Sequence, residues 1–129
     1  MSAGVYPILI EQGADWRLEF VWKNGAGNPH NLDGWNARMQ IRDGYASKTK
    51  IIDINTETGG IVLGGAYGTV ELLISAEVTQ AVAINPTKFV WQDGKQGQLF
   101  AYDLELIDPQ GMVKRLMQGA VFFVPEVTK

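Results

Sequence analysis

Residues capable of catalysis are few in this chain and widely spaced. The 129 residues include one histidine and no cysteine, which excludes thiol catalysis, disulfides and thiolate metal sites. A serine triad would need His30 with Asp33 as its orienting carboxylate. Both residues lie in Asn24–Gly34, a segment dense in turn-forming residues, so turn formation is the simpler role. We therefore expect no catalytic nucleophile.

A pair of carboxylates offers a second kind of chemistry. Asp103 and Glu105 are neighbours on one face of a predicted strand, roughly 6.5 Å apart at about 3.3 Å per residue, a separation that glycoside hydrolysis can use. Basic residues on the facing strand would keep both groups ionised. Glu105 should face Lys114 or Arg115, depending on whether the turn carries a bulge. The pattern therefore favours a solvated sheet face with ion pairs.

Metal binding and cofactor binding have no motif in the sequence. Loop aspartates can bind calcium without a motif, but none of those near turns has EF-hand spacing: Asp15, Asp33, Asp43, Asp53 and Asp93. The glycine-rich stretch Gly64–Gly68 leads into a strand and is not followed by the Lys-Ser/Thr of a phosphate loop. We predict no catalytic residue, no cofactor and no metal.

Composition restricts the partners and the location. The net charge is −3 at pH 7, so no basic field attracts nucleic acid. The beginning of the chain, Met1–Gly13, lacks the basic region of a signal peptide and the length of a membrane span. With 46% hydrophobic and 19% charged residues, the chain is in the globular range. We expect one soluble domain over residues 1–129, made in the cytosol, with no membrane partner.

The elements that must position these residues are predicted to be strands. In Ala14–Lys23 the apolar residues recur at every second position, as in a half-buried strand: Trp16, Leu18, Phe20 and Trp22. Trp35–Arg42 repeats this alternation, so both stretches should face one core. We assign Trp16, Trp22 and Trp35 to that core.

Further strands and turns complete the pattern. Val5–Gln12 should form a strand with Pro7 at an edge or a kink, and Gly64–Gly68 should connect a hairpin. Ser75 can cap a short helical turn through Ala83, and Asp108–Gly111 suits a type I turn before the last strand. About eight or nine short strands with one helical turn predict an all-β, antiparallel β-sandwich. A closed barrel is the alternative.

Aromatic residues outside the alternating pattern could bind a partner. Trp91 lies beside the turn Asp93–Gly97, and Tyr45 and Tyr67 lie in predicted loops. Exposed aromatic rings stack on sugars and anchor protein contacts. Trp91, Tyr45 and Tyr67 therefore support an alternative function, a carbohydrate-binding module that contacts host surface glycan.

Three long stretches of the chain resemble a family of small tailed-bacteriophage virion proteins: QGADWRLEFVWKNGAGNPHNLDGWNARMQIR, GGIVLGGAYGTVELLIS, and YDLELIDPQG with VKRLMQGAVFFVPEVTK. The family is similar to the N-terminal domain of phage upper baseplate proteins. The resemblance implies an immunoglobulin-like β-sandwich. It carries fold-forming residues, and so specifies architecture and setting better than mechanism.

The resemblance also implies a function without catalysis. Such a protein would be a structural part of the virion, made in the host cytoplasm and present in multiple copies. It would dock onto other virion proteins as a baseplate or tail adaptor, or decorate the capsid. The insertion Lys88–Gln98 departs from the family pattern and should project a hairpin. The candidate protein contacts are Pro7, Trp91, Gln92, Asp93, Lys95, Gln96, Glu126 and Val127.

Overall fold

The structure is a computed structural model that describes residues 4–44 and 47–126. Ten strands and one α-helix follow along this part of the chain: β1 (Gly4–Val5), β2 (Ile8–Glu11), β3 (Trp16–Val21), β4 (Asn36–Arg42), β5 (Lys50–Asn55), β6 (Ile61–Leu63), β7 (Thr69–Ile74), α1 (Ala76–Gln80), β8 (Phe89–Gln92), β9 (Lys95–Ile107) and β10 (Val113–Val124). Two 3₁₀ turns lie at Gly65–Tyr67 and Pro86–Lys88.

The strands form two sheets. The large sheet has the order β1-β10-β9-β4-β5, with β2 also beside β10 and β8 also beside β9. The small sheet has the order β3-β7-β6. We call the end of the sandwich that carries α1 and the β8–β9 turn the upper end. The lower end carries the β9–β10 turn.

The core lies between the sheets and follows the predicted alternation. On β4 the buried residues are Ala37, Met39 and Ile41, and on β7 every second residue from Val70 to Ile74 is fully buried. The two stretches that should share one core do so from opposite sheets. Trp16, Trp22 and Trp35 pack against this core as half-buried residues at its rim, which agrees with their assignment to the core.

Local sequence explains the turns. Asp93 and Gly94 have φ of 51° and 77°, the left-handed backbone of a two-residue hairpin turn. Asp108 accepts hydrogen bonds on its carboxylate from the N–H groups of Gln110 and Met112. The Ser75 hydroxyl accepts from Val78 N at 3.4 Å, and so caps the predicted helical turn.

The N-terminal strand corrects the prediction of a wholly antiparallel sandwich. Pro7 separates β1 from β2, and both segments pair with β10 in parallel. Proline has no N–H to give to a ladder, so the predicted single strand is interrupted at this residue. The other strand pairs are antiparallel. Two separate sheets exclude the closed barrel, and the protein is an all-β sandwich.

Candidate functional site

His30 belongs to an aromatic stack at the lower end of the sandwich. Its ring lies parallel to that of Trp22 with centroids 4.3 Å apart, and meets the edge of Trp35 at 5.2 Å. Its Nδ1 lies 3.1 Å from the carbonyl oxygen of Asn31. Ser75 lies beyond the far end of β7, about 20 Å away for six residues. The His30 ring therefore packs against tryptophans and does not contact the Ser75 hydroxyl, as a serine triad with Ser75 would require.

The carboxylates of β9 form ion pairs, as the sequence indicates. Arg38 Nε lies 2.8 Å from Glu105, and Arg115 lies 3.5 Å from Glu105 and 3.7 Å from Asp103. From the turn, Val113 pairs with Ile107 and Arg115 with Glu105 without a shift, and the bulge of β10 comes only after Arg115. Arg115, and not Lys114, therefore faces Glu105.

The loop aspartates serve separate structural roles. Asp15 accepts from the N–H of Ala76 at the start of α1, and Asp43 pairs with Lys88 at 3.3 Å. Within residues 4–44 and 47–126, no three potential ligands from histidine and acidic residues come together as a metal site would require. The aspartates are far from one another because they lie in separate segments of the chain.

The outer face of the large sheet, turned away from the core, carries the most distinctive surface. Val121 and Phe123 point into the core, so Phe122 between them points outward. Phe122 is nevertheless only 2% exposed. In the pairing register Leu9 and Leu99 flank it on either side. A Cβ at Gly97 would lie 3.1 Å from the tip of its ring, so the absence of a side chain at Gly97 makes room for it.

Apolar residues surround Phe122 on the outer face and come from five strands, β1, β2, β8, β9 and β10. The register of β10 with β1 and β2 is unchanged across Pro7, which therefore lies opposite Ala120 on the same face. Leu9, Val90 and Leu99 are 39%, 40% and 43% exposed. We define the apolar half of the outer face by these residues and their neighbours on the same side: Val5, Pro7, Leu9, Val90, Leu99, Ala101, Ala120 and Phe122.

The lower half of the same face is charged. It forms a shallow depression lined by Arg38, Gln40, Arg42, Lys50, Asp103, Glu105 and Arg115. Arg42 donates to the side chain of Gln40, while its Nε is buried and has no hydrogen-bond partner within the described residues. The boundary between the apolar half and the charged half crosses β9 between Ala101 and Asp103.

The predicted contact residues fall into two groups. Pro7 lies on the apolar half. The other described candidates lie at the upper end and are exposed, namely Trp91, Gln92, Asp93, Lys95, Gln96 and Glu126. The backbone N–H of Glu126 donates to the side chain of Gln12, which anchors the end of β10. Val127 lies outside the described residues.

The aromatic residues proposed for glycan binding do not share a site. Trp91 is 71% exposed on β8 at the upper end, and Tyr67 is 79% exposed. Tyr67 lies in the 3₁₀ turn at the lower end, beside the hydrogen bond from Trp22 N to Gly68 O. The length of β7, about 20 Å, separates these ends. Tyr45 lies outside the described residues. The prediction of a single stacking platform that includes both Trp91 and Tyr67 is therefore wrong.

Sequence reasoning missed most of the apolar half. Leu9, Val90, Leu99 and Phe122 were not among the candidate contacts. The available signal was on β9 itself, where Leu99 and Ala101 share the alternation of Asp103 and Glu105, and therefore had to face outward with them.

Comparisons with known proteins provide little beyond the fold. No protein-family model matches the sequence, and no curated protein sequence matches it. One similar solved structure comes from photo-crosslinking analyses of multimeric cell-adhesive interactions of VGSC beta subunits, with 12% identity, a TM-score of 0.43, and coverage of 99% of this chain and 98% of that one. Another is the extracellular domain of the voltage-gated sodium channel beta4 subunit, with 9% identity, a TM-score of 0.43, and coverage of 98% and 97%. These likenesses concern the fold alone. Among the described residues, no helix combines the length and apolarity needed to cross a bilayer.

Proposed function

We propose that this protein is a non-enzymatic structural protein of a tailed-phage virion. It docks onto another virion protein through the apolar half of the outer face, as a baseplate or tail adaptor or as a capsid decoration. The phage setting rests on the sequence resemblance. The docking surface rests on one observation, the outward-facing Phe122 that is nearly fully buried among exposed apolar residues.

The position of this apolar surface supports docking. The outward face of a sandwich sheet is ordinarily polar, because water covers it. Here the outward positions of β2, β8 and β9 carry Leu9, Val90 and Leu99, each about two-fifths exposed. Contiguous apolar surface of this kind marks a site of protein contact. The charged half beside it offers arginines whose ion pairs can orient a partner.

Docking in multiple copies fits a small domain of this kind. One apolar half provides a modest contact, and repeated copies on a particle gain strength through multivalency. The exposed hairpin of β8 and β9, with Trp91 at 71% exposure, borders the apolar half at the upper end. Trp91 directly follows Val90 on β8, so its side chain points to the opposite side of the sheet and lies outside this contact.

The experiment requires virions that lack the protein. The gene is deleted in the source phage, and the purified protein is added back to the particles. Wild-type protein should bind, and Leu99→Glu should bind at least tenfold more weakly, because it places a charge in the apolar contact. Val78→Glu is the matched control, since Val78 is 43% exposed on α1, outside both the apolar half and β3. Absence of the polypeptide from wild-type virions by mass spectrometry, or unchanged binding of Leu99→Glu, would refute the proposal.

A further inference from the structure

The small sheet ends in an open edge at β3. This strand pairs with β7 and, among the described residues, with no other strand. Just past the strand, Trp22 N donates to Gly68 O at 2.8 Å. Antiparallel partners alternate between hydrogen-bonded and non-bonded pairs, so the even-numbered residues of β3 bond to β7. The backbone N–H and C=O groups of Arg17, Glu19 and Val21 therefore point away from the sheet.

This edge lacks the backbone features that usually protect an exposed strand, and its only protection of the usual kind is the charge of Arg17 and Glu19. Proteins protect edges with proline, bulges, short strands or charged side chains, lysine above all. Trp16–Val21 runs for six residues without proline and pairs with β7 without a register shift. By contrast, the edge strand β5 has an irregularity in its pairing with β4, and β6 has only three residues.

Charges on β3 leave one carboxylate without a close cation. Arg17 forms an ion pair with Glu71 of β7, and the hydrogen bond to that carboxylate raises the pKa of Arg17. Glu19 lies directly opposite Glu71, a like-charge cross-strand pair that disfavours the sheet. No ion pair within the described residues engages Glu19. A cation beside the open edge would compensate both carboxylates.

We propose that a second copy of this chain occupies the edge, with two β3 strands paired antiparallel about a two-fold axis at Leu18. Hydrogen bonding between the two copies requires the residues with outward-pointing backbone groups to face one another. The two-fold axis must therefore pass beside a residue and not between two residues. An axis at Glu19 would set Glu19 against Glu19 of the second copy. An axis at Arg17 would set two arginines together.

The axis at Leu18 avoids both conflicts. Arg17 then faces Glu19 of the second copy, and Glu19 faces Arg17 of the second copy. Each contact is an opposite-charge cross-strand pair, the favourable kind. On the inner face the same register sets Leu18 against Leu18 and Trp16 against Phe20. These side chains are half-buried and border the core, so the pairing would cover their exposed parts.

Charge reversal tests the register. Sedimentation equilibrium of the full-length protein should give a dimer. Arg17→Glu and Glu19→Arg should each weaken the dimer tenfold or more, because each creates two like-charge contacts in place of two favourable ones. The double variant Arg17→Glu/Glu19→Arg restores opposite charges across the axis, and its dissociation constant should return to within about threefold of wild type.

A proline substitution tests the backbone pairing. Glu19→Pro removes an N–H that points away from β7, so it leaves the ladder of the small sheet intact and should abolish the dimer. Leu99→Glu, on the other sheet, should leave the dimer unchanged. Amide exchange by nuclear magnetic resonance should slow at Arg17, Glu19 and Val21 as protein concentration rises.

Three results would overturn this assignment. The first is a protein that stays monomeric up to about 1 mM. The second is a dimer whose dissociation constant is unchanged by either single charge reversal. The third is a double variant that dimerises no better than the single variants. Because Leu99→Glu reports on virion docking and the β3 variants report on the dimer, failure of one proposal can be told from failure of the other.

Discussion

Replacement of Trp22 by alanine should destabilise the protein by about 4 kcal/mol. A tryptophan side chain contributes roughly 200 Å² of surface when fully buried, and about two-thirds or more of Trp22 is covered where it packs against the core. Loss of about 130 Å² of buried apolar area costs about 3.3 kcal/mol at about 25 cal/mol per Å². The parallel contact with His30 at 4.3 Å and the edge contact with Trp35 at 5.6 Å add about 0.5–1 kcal/mol.

Urea unfolding measures this loss directly. With a slope of about 2 kcal/mol per M, the urea midpoint should fall by about 2 M without a change in slope. Trp22→Phe retains an aromatic face against His30 and should lose about 1 kcal/mol. Trp91→Ala is the matched control: its ring is 71% exposed, so its free energy of unfolding should change by less than about 0.5 kcal/mol. If Trp22→Ala and Trp91→Ala had equal effects, the assignment of Trp22 to the rim of the core would be refuted.

Three further substitutions have defined outcomes. Thr79→Val should cost about 1–3 kcal/mol in thermal or urea unfolding, because the fully buried hydroxyl accepts from Gly13 N at 3.1 Å and its loss leaves that N–H unsatisfied. Gly97→Ala should cost about 1–3 kcal/mol, since its Cβ would lie 2.5 Å from a carbonyl oxygen of β10, whereas Gly25→Ala, with open space around it, should be nearly neutral. Arg115→Ala should cost less than about 1 kcal/mol, and the loss should vanish in 1 M salt, because its ion pairs are half-exposed and screened; a deficit that persists in high salt would indicate a packing role.

Local rules predicted the elements well because the information lies in neighbouring residues. Alternation identified the buried side chains of β4, and the turn-forming residues of Asp93–Gly97 indicated the turn that joins β8 and β9. The cap by Ser75 and the turn after Asp108 follow from side-chain oxygens that reach backbone N–H groups nearby in the chain. In each case the stabilising contact spans only a few residues.

The arrangement of the elements depended on information that lies far apart in the chain. No local pattern specifies that β1 and β2 pair with β10 in parallel, because their partners lie more than a hundred residues away. The sequence left open whether Glu105 faces Lys114 or Arg115, and the pairing beside the turn, which runs without a shift up to Arg115, decides it.

The candidate surface was hidden by an ambiguity of the alternating pattern. In the run Val121–Val124 every residue is apolar, so alternation cannot say which side faces the core. Core packing of Val121 and Phe123 decides it and leaves Phe122 outside. An outward phenylalanine becomes recognisable only when its cross-strand neighbours, Leu9 and Leu99, are known to be apolar as well.

The two proposed contacts reinforce one another geometrically. A two-fold axis perpendicular to the small sheet keeps both large sheets on the same side of the dimer, so both outer faces point in the same direction. The pair therefore presents two apolar halves to one underlying surface, and the second contact forms at a high effective concentration once the first has formed. Glu19→Arg lies on the other sheet from Leu99, and should still weaken binding to virions because it removes this second contact. The double variant Arg17→Glu/Glu19→Arg should recover that binding, an outcome that a local defect at either residue could not produce.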